Sequence, residues 1–492
     1  MATADKTGDF CFLPPRTDAS AMTTRTERDS MGELQVPTEA LYGASTQRAV
    51  LNFPISGRPL PDRFIRGLGL VKLAAAQANE ALGLLSAEKS RLIQQAAREI
   101  ALGQLTAHFP VDVFQTGSAT STNTNANEVI SNRVSQLSGR PIGSKNPVHP
   151  NDDVNFGQSS NDVIPTTLHV SVALALHELL VPALEGLAAT LETKATEFAQ
   201  TMKIGRTHLM DATPMTMGQE FSGYARQARK GADRARKAIG ALSELAIGGT
   251  AVGTGINRHP DFPAAVCRVL AAETGLHFRE AVNHFEAQGG RDDAVEVAGH
   301  LATIAASLTK IASDIRWLGS GPRAGLGELK LPPTQPGSSI MPGKVNPVMS
   351  EMLIQVCLYT QGLTQTVILC GRDGQFELNV TLPLIAYALH ESIACLANGT
   401  RTFAQRCVAG VEVDAMRCRE LVDRSLMLVT ALNPHIGYDA SASVAKEAHA
   451  TGKTLKEIVL ARGLLDEATL DRVLDPKTMI EPRADAVAAG SG

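Results

Sequence analysis

Between residues 297 and 318 the side chains of Val297, Leu301, Ile304, Leu308, Ile311, Ile315 and Leu318 recur at steps of 4, 3, 4, 3, 4 and 3. That spacing lines one face of an α-helix over three heptads. Left alone, such a stripe would face water, so the helix needs partner helices to cover it. Leu176, Leu180, Leu184, Leu187 and Leu191 repeat the pattern upstream, and Leu382, Ile385, Leu389, Ile393 and Leu396 repeat it downstream. The spacing predicts a central antiparallel bundle of long helices, extended by self-association. Composition agrees. Aromatics are 4% of the chain with a single Trp, which suits closely packed helices better than an aromatic-rich sheet. With 44% of 492 residues hydrophobic, a large core can form, and a disordered or collagenous chain is excluded.

Lys and Arg number 46 against 50 Asp and Glu, a formal net charge of −4. That balance supplies no general pull towards nucleic acid or an anionic membrane, and neither is expected as a partner. No run of 18 apolar residues occurs, so no membrane-spanning segment is predicted. Seven cysteines stand singly at positions 11, 267, 357, 370, 395, 407 and 418, with no Cys-x-x-Cys and no Cys/His cluster of zinc spacing. Free, mostly buried thiols in a reducing, cytoplasmic compartment are expected, with no metal site. Residues 1–21 hold only the short apolar patch 10–13, followed at once by Pro14 and Pro15, and carry Asp5, Asp9 and Asp18. They read as a loose leader, not a signal or transit peptide, with Met22 as an alternative start. The predicted organisation is a leader over 1–24, a mainly helical region with active-site loops over 25–158, the long-helix bundle over 159–413, and a small helical region over 414–492 whose last residues, 487–492, form a frayed tail.

Five polar, Gly-rich stretches, at 115–127, 149–161, 204–214, 247–260 and 335–347, interrupt the helical pattern. One such loop is usually a mere connection. Five on a helical scaffold, with few long charged side chains, point to a site. The last contains Gly337-Ser338-Ser339-Ile340-Met341-Pro342-Gly343-Lys344-Val345-Asn346-Pro347. Its glycines and prolines fix an unusual path that frames two hydroxyls, an ammonium and an amide. Backbone N–H groups beside hydroxyls, with a nearby Lys, suit a carboxylate whose charge grows during reaction.

At every position this string resembles the signature loop of the fumarase/aspartase superfamily. Gln115-Thr116-Gly117-Ser118-Ala119-Thr120 with Asn123, Asn125 and Asn127 is similar to that family's first active-site loop. His149-Pro150-Asn151-Asp152-Asp153-Val154-Asn155 and Gln158-Ser159-Ser160-Asn161-Asp162 are similar to its second, and Gly205-Arg206-Thr207-His208 with Asp211-Ala212-Thr213-Pro214 to its third. The resemblance runs from about residue 25 to 483. It implies an all-α, three-domain subunit with a central long-helix bundle, a homotetramer with a core of about twenty helices, active sites each assembled from three subunits, a small dicarboxylate substrate (fumarate or malate), and no cofactor. His208 stands where aspartases carry Gln, and Pro342-Gly343-Lys344 where they usually have Pro-Ala-Lys. Hydroxide is a poor leaving group that needs a proton, whereas ammonium already carries one. The resemblance therefore implies a metal-free hydratase that adds water anti across fumarate to give (S)-malate; an aspartate ammonia-lyase is the alternative. A structural member that has lost its chemistry is opposed by the presence of every side chain named next.

Carried over residue by residue, the resemblance makes Ser338 the base that removes the C3 proton of malate and leaves an aci-carboxylate. His208, through a water, would handle the leaving hydroxyl, and Glu351, two turns along the helix that the loop enters, would orient the imidazole. Ser118, Thr120, Ser159, Ser160, Asn161, Thr207, Ser339, Lys344 and Asn346 would hold the substrate. His149, Asn151 and Asp152 correspond to an accessory carboxylate site. The chain departs from the family pattern at Ala119 (usually Gly), Thr124 and Ala126 (commonly Met) and Met210 (usually Gln). It departs also at Asn146, where a basic residue three positions before His149 is typical and Lys145 is only adjacent.

Overall fold

A computed structural model describes residues 23–482, so the expectations for the leader's first 22 positions and for the 487–492 tail lie outside the described residues. The described chain is mostly helical, with seventeen α-helices and only two-stranded sheets. All three apolar seams are buried, the 297–318 seam along helix Asp292–Leu318 and the 382–396 seam along helix Leu382–Arg406. The upstream seam is buried too, although Leu176–Leu180 form a π-helical turn. Pro182 follows that turn at the start of helix Val181–Glu197. It has no N–H to donate to the preceding turn, which favours local widening.

The chain divides into two compact units, 1–175 with 239–298 and 365–391, and 176–238 with 299–364 and 392–492. In the first, strands Thr24–Asp29 and Gly32–Pro37 form an antiparallel hairpin. Helix Ala44–Asn52 has Gly43 at its N-cap and no cap of its own, and the carboxylate of Glu128 takes that role, accepting from Gly43 N at 2.8 Å and Thr46 Oγ1 at 2.6 Å. Helices Asp62–Ala81 and Ala87–Ala101 touch at Gly69, where a Cβ would lie 2.7 Å from Ala101 N. That approach requires glycine. Helices Thr120–Leu137 and Ser160–Ala175 complete the part that carries predicted site residues.

The second unit holds the hairpin of strands Met202–Thr207 and Met210–Thr216, and helix Val348–Gly371 begins in it. Its C-terminal helices, among them Tyr438–Thr451 and Leu455–Ala461, pack around a core of their own that includes Leu432, Val444, Ile458 and Leu470. Three of the five expected loops carry regular structure. The 115–127 stretch turns helical at Thr120, 149–161 holds the π-helical turn Pro150–Val154, and 204–214 is largely strand. Short polar residues that suit loops also suit helix starts and hairpins, and composition alone does not separate them.

Two helical stretches, Ser160–Glu197 and Val348–Gly371, are long and apolar enough to cross a membrane by length and composition. Neither is an unbroken apolar run, because Ser, Thr and Glu interrupt both. The six cysteines of the described residues are free, and five are buried.

Candidate active site

One group of predicted residues meets where two helices begin. Thr120 and Ser160 are each the first residue of a helix, and their hydroxyls lie 2.8 Å apart. Ser118 Oγ lies 2.8 Å from Thr120 Oγ1. Asn161 donates from Nδ2 to Ala251 O at 2.8 Å and from its backbone N–H to Ser159 Oγ at 3.2 Å. The first N–H groups of a helix lack intrahelical acceptors, and the helix dipole adds positive potential there. Two such ends tied together by hydroxyls make a shelf suited to a carboxylate. Ala119, the departure from glycine, sits at φ +52° and ψ +30° with its methyl buried. An L-residue in that left-handed region costs roughly 1–2 kcal/mol. Gly117 beside it has no such latitude, because a Cβ there would fall 1.8 Å from Val380 O.

Under the shelf lie buried charges. Asp162 accepts from Ser159 N, Gly248 N and Thr250 N, each at 2.9 Å. Burial pushes its carboxyl pKa up, while these N–H groups and the charge of Lys72 oppose the rise. Lys72, on helix Asp62–Ala81, is wholly buried and donates to Asn155 Oδ1 and Gln158 Oε1 at 3.0 Å each. Burial pulls its pKa down to about 7, and Asp162 pulls it back up.

The remaining catalytic and substrate-binding residues predicted from the sequence belong to the second unit. Thr207 pairs with Met210, so His208 and Leu209 are the two turn residues of the hairpin. Their φ values are +57° and +60°, a two-residue turn with both φ positive, which Asn-Gly meets most easily. His208 is exposed, and so are Leu209 (73%) and Met210 (69%). One strand pair back from the turn, Arg206 Nη1 reaches Glu328 Oε2 at 2.6 Å, and Glu328 is fully buried.

In the signature loop Ser338 Oγ accepts from Ile340 N at 3.2 Å and Met341 N at 3.0 Å. Two N–H donors aimed at one hydroxyl oxygen favour its deprotonated form. Gly337 closes the loop, its N–H donating to Lys344 O and its carbonyl accepting from Asn346 Nδ2, both at 2.8 Å. Ser339 and Lys344 are exposed, and Lys344 lines an open cavity of about 420 Å³ with Ser338 and Met341. Glu351 sits in the first turn of helix Val348–Gly371, not two turns along it, because the helix starts only after Pro347. Within the described chain no hydrogen bond or ion pair joins Glu351 to His208.

The accessory residues form the π-helical turn Pro150–Val154 and its cap. His149 Nδ1 accepts from Asn151 N at 3.3 Å and Asp152 N at 3.2 Å. A nitrogen that accepts these bonds carries no proton. The Asp152 carboxylate, 3.1 Å from the same atom, would become its ion-pair partner only on protonation, which would break both caps.

The chain matches the family model for lyases over residues 32–362 and the model for the fumarase C C-terminus over 428–481. The class II fumarate hydratase of Neisseria meningitidis (serogroup A / serotype 4A) is 49% identical over 462 residues, which cover 94% of this chain and 100% of that one. The class II fumarate hydratase of Mycobacterium tuberculosis is 52% identical, covering 94% of this chain and 97% of that one. The crystal structure of class II fumarase from Schistosoma mansoni aligns with a TM-score of 0.91 at 40% identity, over 93% of this chain and 99% of that one. The chain belongs to the class II fumarate hydratase family.

Beyond the residues to which the resemblance gives a role, the shelf leans on Lys72 and Asp162, and the His208 hairpin leans on Arg206 and Glu328. Lys72 had a signal in the sequence, as the lone charge in the apolar run 67–76. Glu328 had none, because its partner lies 122 residues away. Among the described residues no group of three or more His, Cys, Asp or Glu side chains is placed to hold a metal ion.

Proposed function

We propose that the chain catalyses the reversible anti addition of water to fumarate, giving (S)-malate through an aci-carboxylate intermediate. The observation that carries this reading is Ser338, whose hydroxyl oxygen receives two backbone N–H groups in a loop shared with Lys344. In the dehydration direction Ser338 takes the C3 proton, and the electron pair moves into the adjacent carboxylate. Lys344 and the shelf of Thr120, Ser160 and Asn161 hold the substrate carboxylates, with Ser118, Ser159, Thr207, Ser339 and Asn346 around them. The intermediate then expels hydroxide, which leaves as water after taking a proton relayed from His208. Glu351 orients and charges that imidazole.

A homotetramer fits this chemistry. Helix Val348–Gly371 has one charged residue, Glu351, and exposes Leu358, Ile368 and Leu369. Ile340 in the signature loop is 83% exposed, and Leu209 and Met210 flank His208. Apolar surface of this kind is covered when copies pool their long helices, and the shelf, the His208 hairpin and the Ser338 loop then come from three subunits. The division at 25–158, 159–413 and 414–492 belongs to the same assembly. A second carboxylate binds at His149, Asn151 and Asp152 only after the His149 ring leaves the N–H groups of Asn151 and Asp152. The deciding experiment follows the ultraviolet absorbance of fumarate after malate or aspartate is added separately. Turnover of malate alone supports the hydratase; turnover of aspartate alone replaces it with an ammonia-lyase.

A further inference from the structure

Lys72 takes no part in the chemistry above, yet its ammonium lies in a helix where Leu68, Val71, Leu73 and Ala75 are also buried. Taking a charge out of water is costly unless acceptors replace the water. Its acceptors are Asn155 Oδ1 and Gln158 Oε1. Asn155 Oδ1 is shared, because Nδ2 of Asn123 at 3.2 Å and of Asn127 at 3.3 Å also donate to it. An amide oxygen has two lone pairs, so three donors crowd it. Meanwhile the side-chain oxygens of Asn123 and Asn127 are buried with no partner. A cluster arranged for stability alone would satisfy those oxygens. This one instead aims donors from two helices at a single loop residue. Both ends of the arrangement lead to the shelf. Asn123 and Asn127 lie on the helix that Thr120 opens, and Gln158 stands directly before Ser159 and Ser160. Asn155 Nδ2 donates to Gln158 O at 3.1 Å and closes the loop on itself.

We propose that Lys72 is a positioning residue for substrate binding. Through Asn155 and Gln158 it holds the 159–161 turn against the start of helix Thr120–Leu137, so that Thr120, Ser160 and Asn161 meet a carboxylate already in place. This rests on the assignment of those three residues to the substrate. A shelf ordered in advance spares the ligand the cost of ordering it, and that saving applies equally to fumarate and malate.

The test is Lys72→Met, which fills similar space without N–H groups or charge. The expected result is a rise of about tenfold in KM for both substrates with kcat changed less than about threefold, the pattern of lost uniform binding. Calorimetric binding of succinate, a saturated dicarboxylate, should weaken by a similar factor. A folded Lys72→Met protein with unchanged KM and unchanged succinate affinity overturns the proposal, whatever its melting temperature. Should that variant fail to fold, Gln158→Met removes one acceptor only, and KM is expected to rise about threefold; an unchanged KM there also overturns it. Thr120→Val and Asn161→Ala separate the two layers. If they weaken succinate binding and Lys72→Met does not, the positioning role fails alone. If neither of them does, the shelf assignment fails and takes the proposal with it.

Discussion

The guanidinium of Arg206 meets the carboxylate of Glu328 at 2.6 Å, two residues before His208 and one strand pair back from its turn. Glu328 has no exposed surface, and its other oxygen, Oε1, is buried without a partner. Gly205, beside Arg206, lets the strands close, because a Cβ there would lie 2.7 Å from Thr213 O. A two-residue turn with His and Leu at positive φ is an unfavourable turn, and it persists where its surroundings over-determine it. The Arg206–Glu328 pair is one such constraint.

Glu328→Gln keeps the shape of the side chain but leaves Arg206 without a counter-charge. Breaking a buried pair from one side costs about 3–5 kcal/mol. The variant should therefore melt at a clearly lower temperature in calorimetry at fixed protein concentration, and it should lose kcat because the turn loosens. An unchanged melting temperature would mean that Arg206 finds another acceptor and that the pair does not hold the hairpin.

Ser338→Ala removes one oxygen from a loop closed by Gly337, Lys344 and Asn346, so fold and assembly should survive. Succinate should still bind. Turnover should fall by about two or more orders of magnitude, as for loss of a general base. Near-normal turnover in the folded variant would place the base elsewhere.

The helical frame and most of the site could be read from the sequence because both rest on local signals. A 4-3 seam such as 297–318 needs only helical geometry, and a string such as 337–347 keeps its chemistry in eleven consecutive residues. What escaped depends on partners distant in sequence. The hydroxyls of Thr120 and Ser160 meet across 40 residues, Asp162 holds N–H groups 86 and 88 residues away, and Arg206 reaches Glu328 across 122. The start of Glu351's helix depends on where Pro347 stops the loop, and a count from Lys344 misplaces it by a turn. The hairpin at 202–216 escaped because His-Leu is not a sequence that announces a turn of that type.

Acid should destabilise the chain through its buried histidines. His390 lies with Nε2 2.9 Å from Ser171 Oγ and its ring edge-on to Phe64, and His169 Nδ1 lies 2.7 Å from Glu244 O. Burial draws both pKa values down to about 3. Unfolded, each titrates near its ordinary value of about 6.5. Their contribution is thus intact above about pH 6.5 and is lost progressively as pH falls towards 3. Asp293, raised to about 6 by burial, acts in the opposite sense, as do Glu128 and Asp162, whose pKa values burial also raises. Comparison with a variant isolates one histidine from that background. His390→Gln should remove about one proton from the acid limb, close to 1.4 kcal/mol per pH unit between roughly pH 6 and 4. Urea melts at several pH values, at constant protein concentration, check this. Parallel slopes in the two proteins would mean that His390 is protonated in the native state.

His208→Asn separates the two candidate chemistries, and the turn makes the experiment clean. Asn adopts positive φ more readily than His, so the substitution suits position 208, where φ is +57°. The hairpin should hold, and any loss is then chemical. If His208 protonates the departing hydroxide, kcat for malate dehydration should fall by about two to four orders of magnitude. KM should change little if Thr120, Asn161 and Lys344 hold the carboxylates as proposed, which is the signature of an interaction made in the transition state. If Glu351 orients His208 as proposed, Glu351→Gln should give a milder loss in the same direction and displace the pH–rate profile, since the imidazole would stay but lose a charged partner. Among the described residues no hydrogen bond or ion pair joins Glu351 to His208, so the Glu351 effect should also require the assembled oligomer. A wild-type protein that ignored malate but deaminated aspartate, with His208→Asn harmless to that activity, would sink the hydratase.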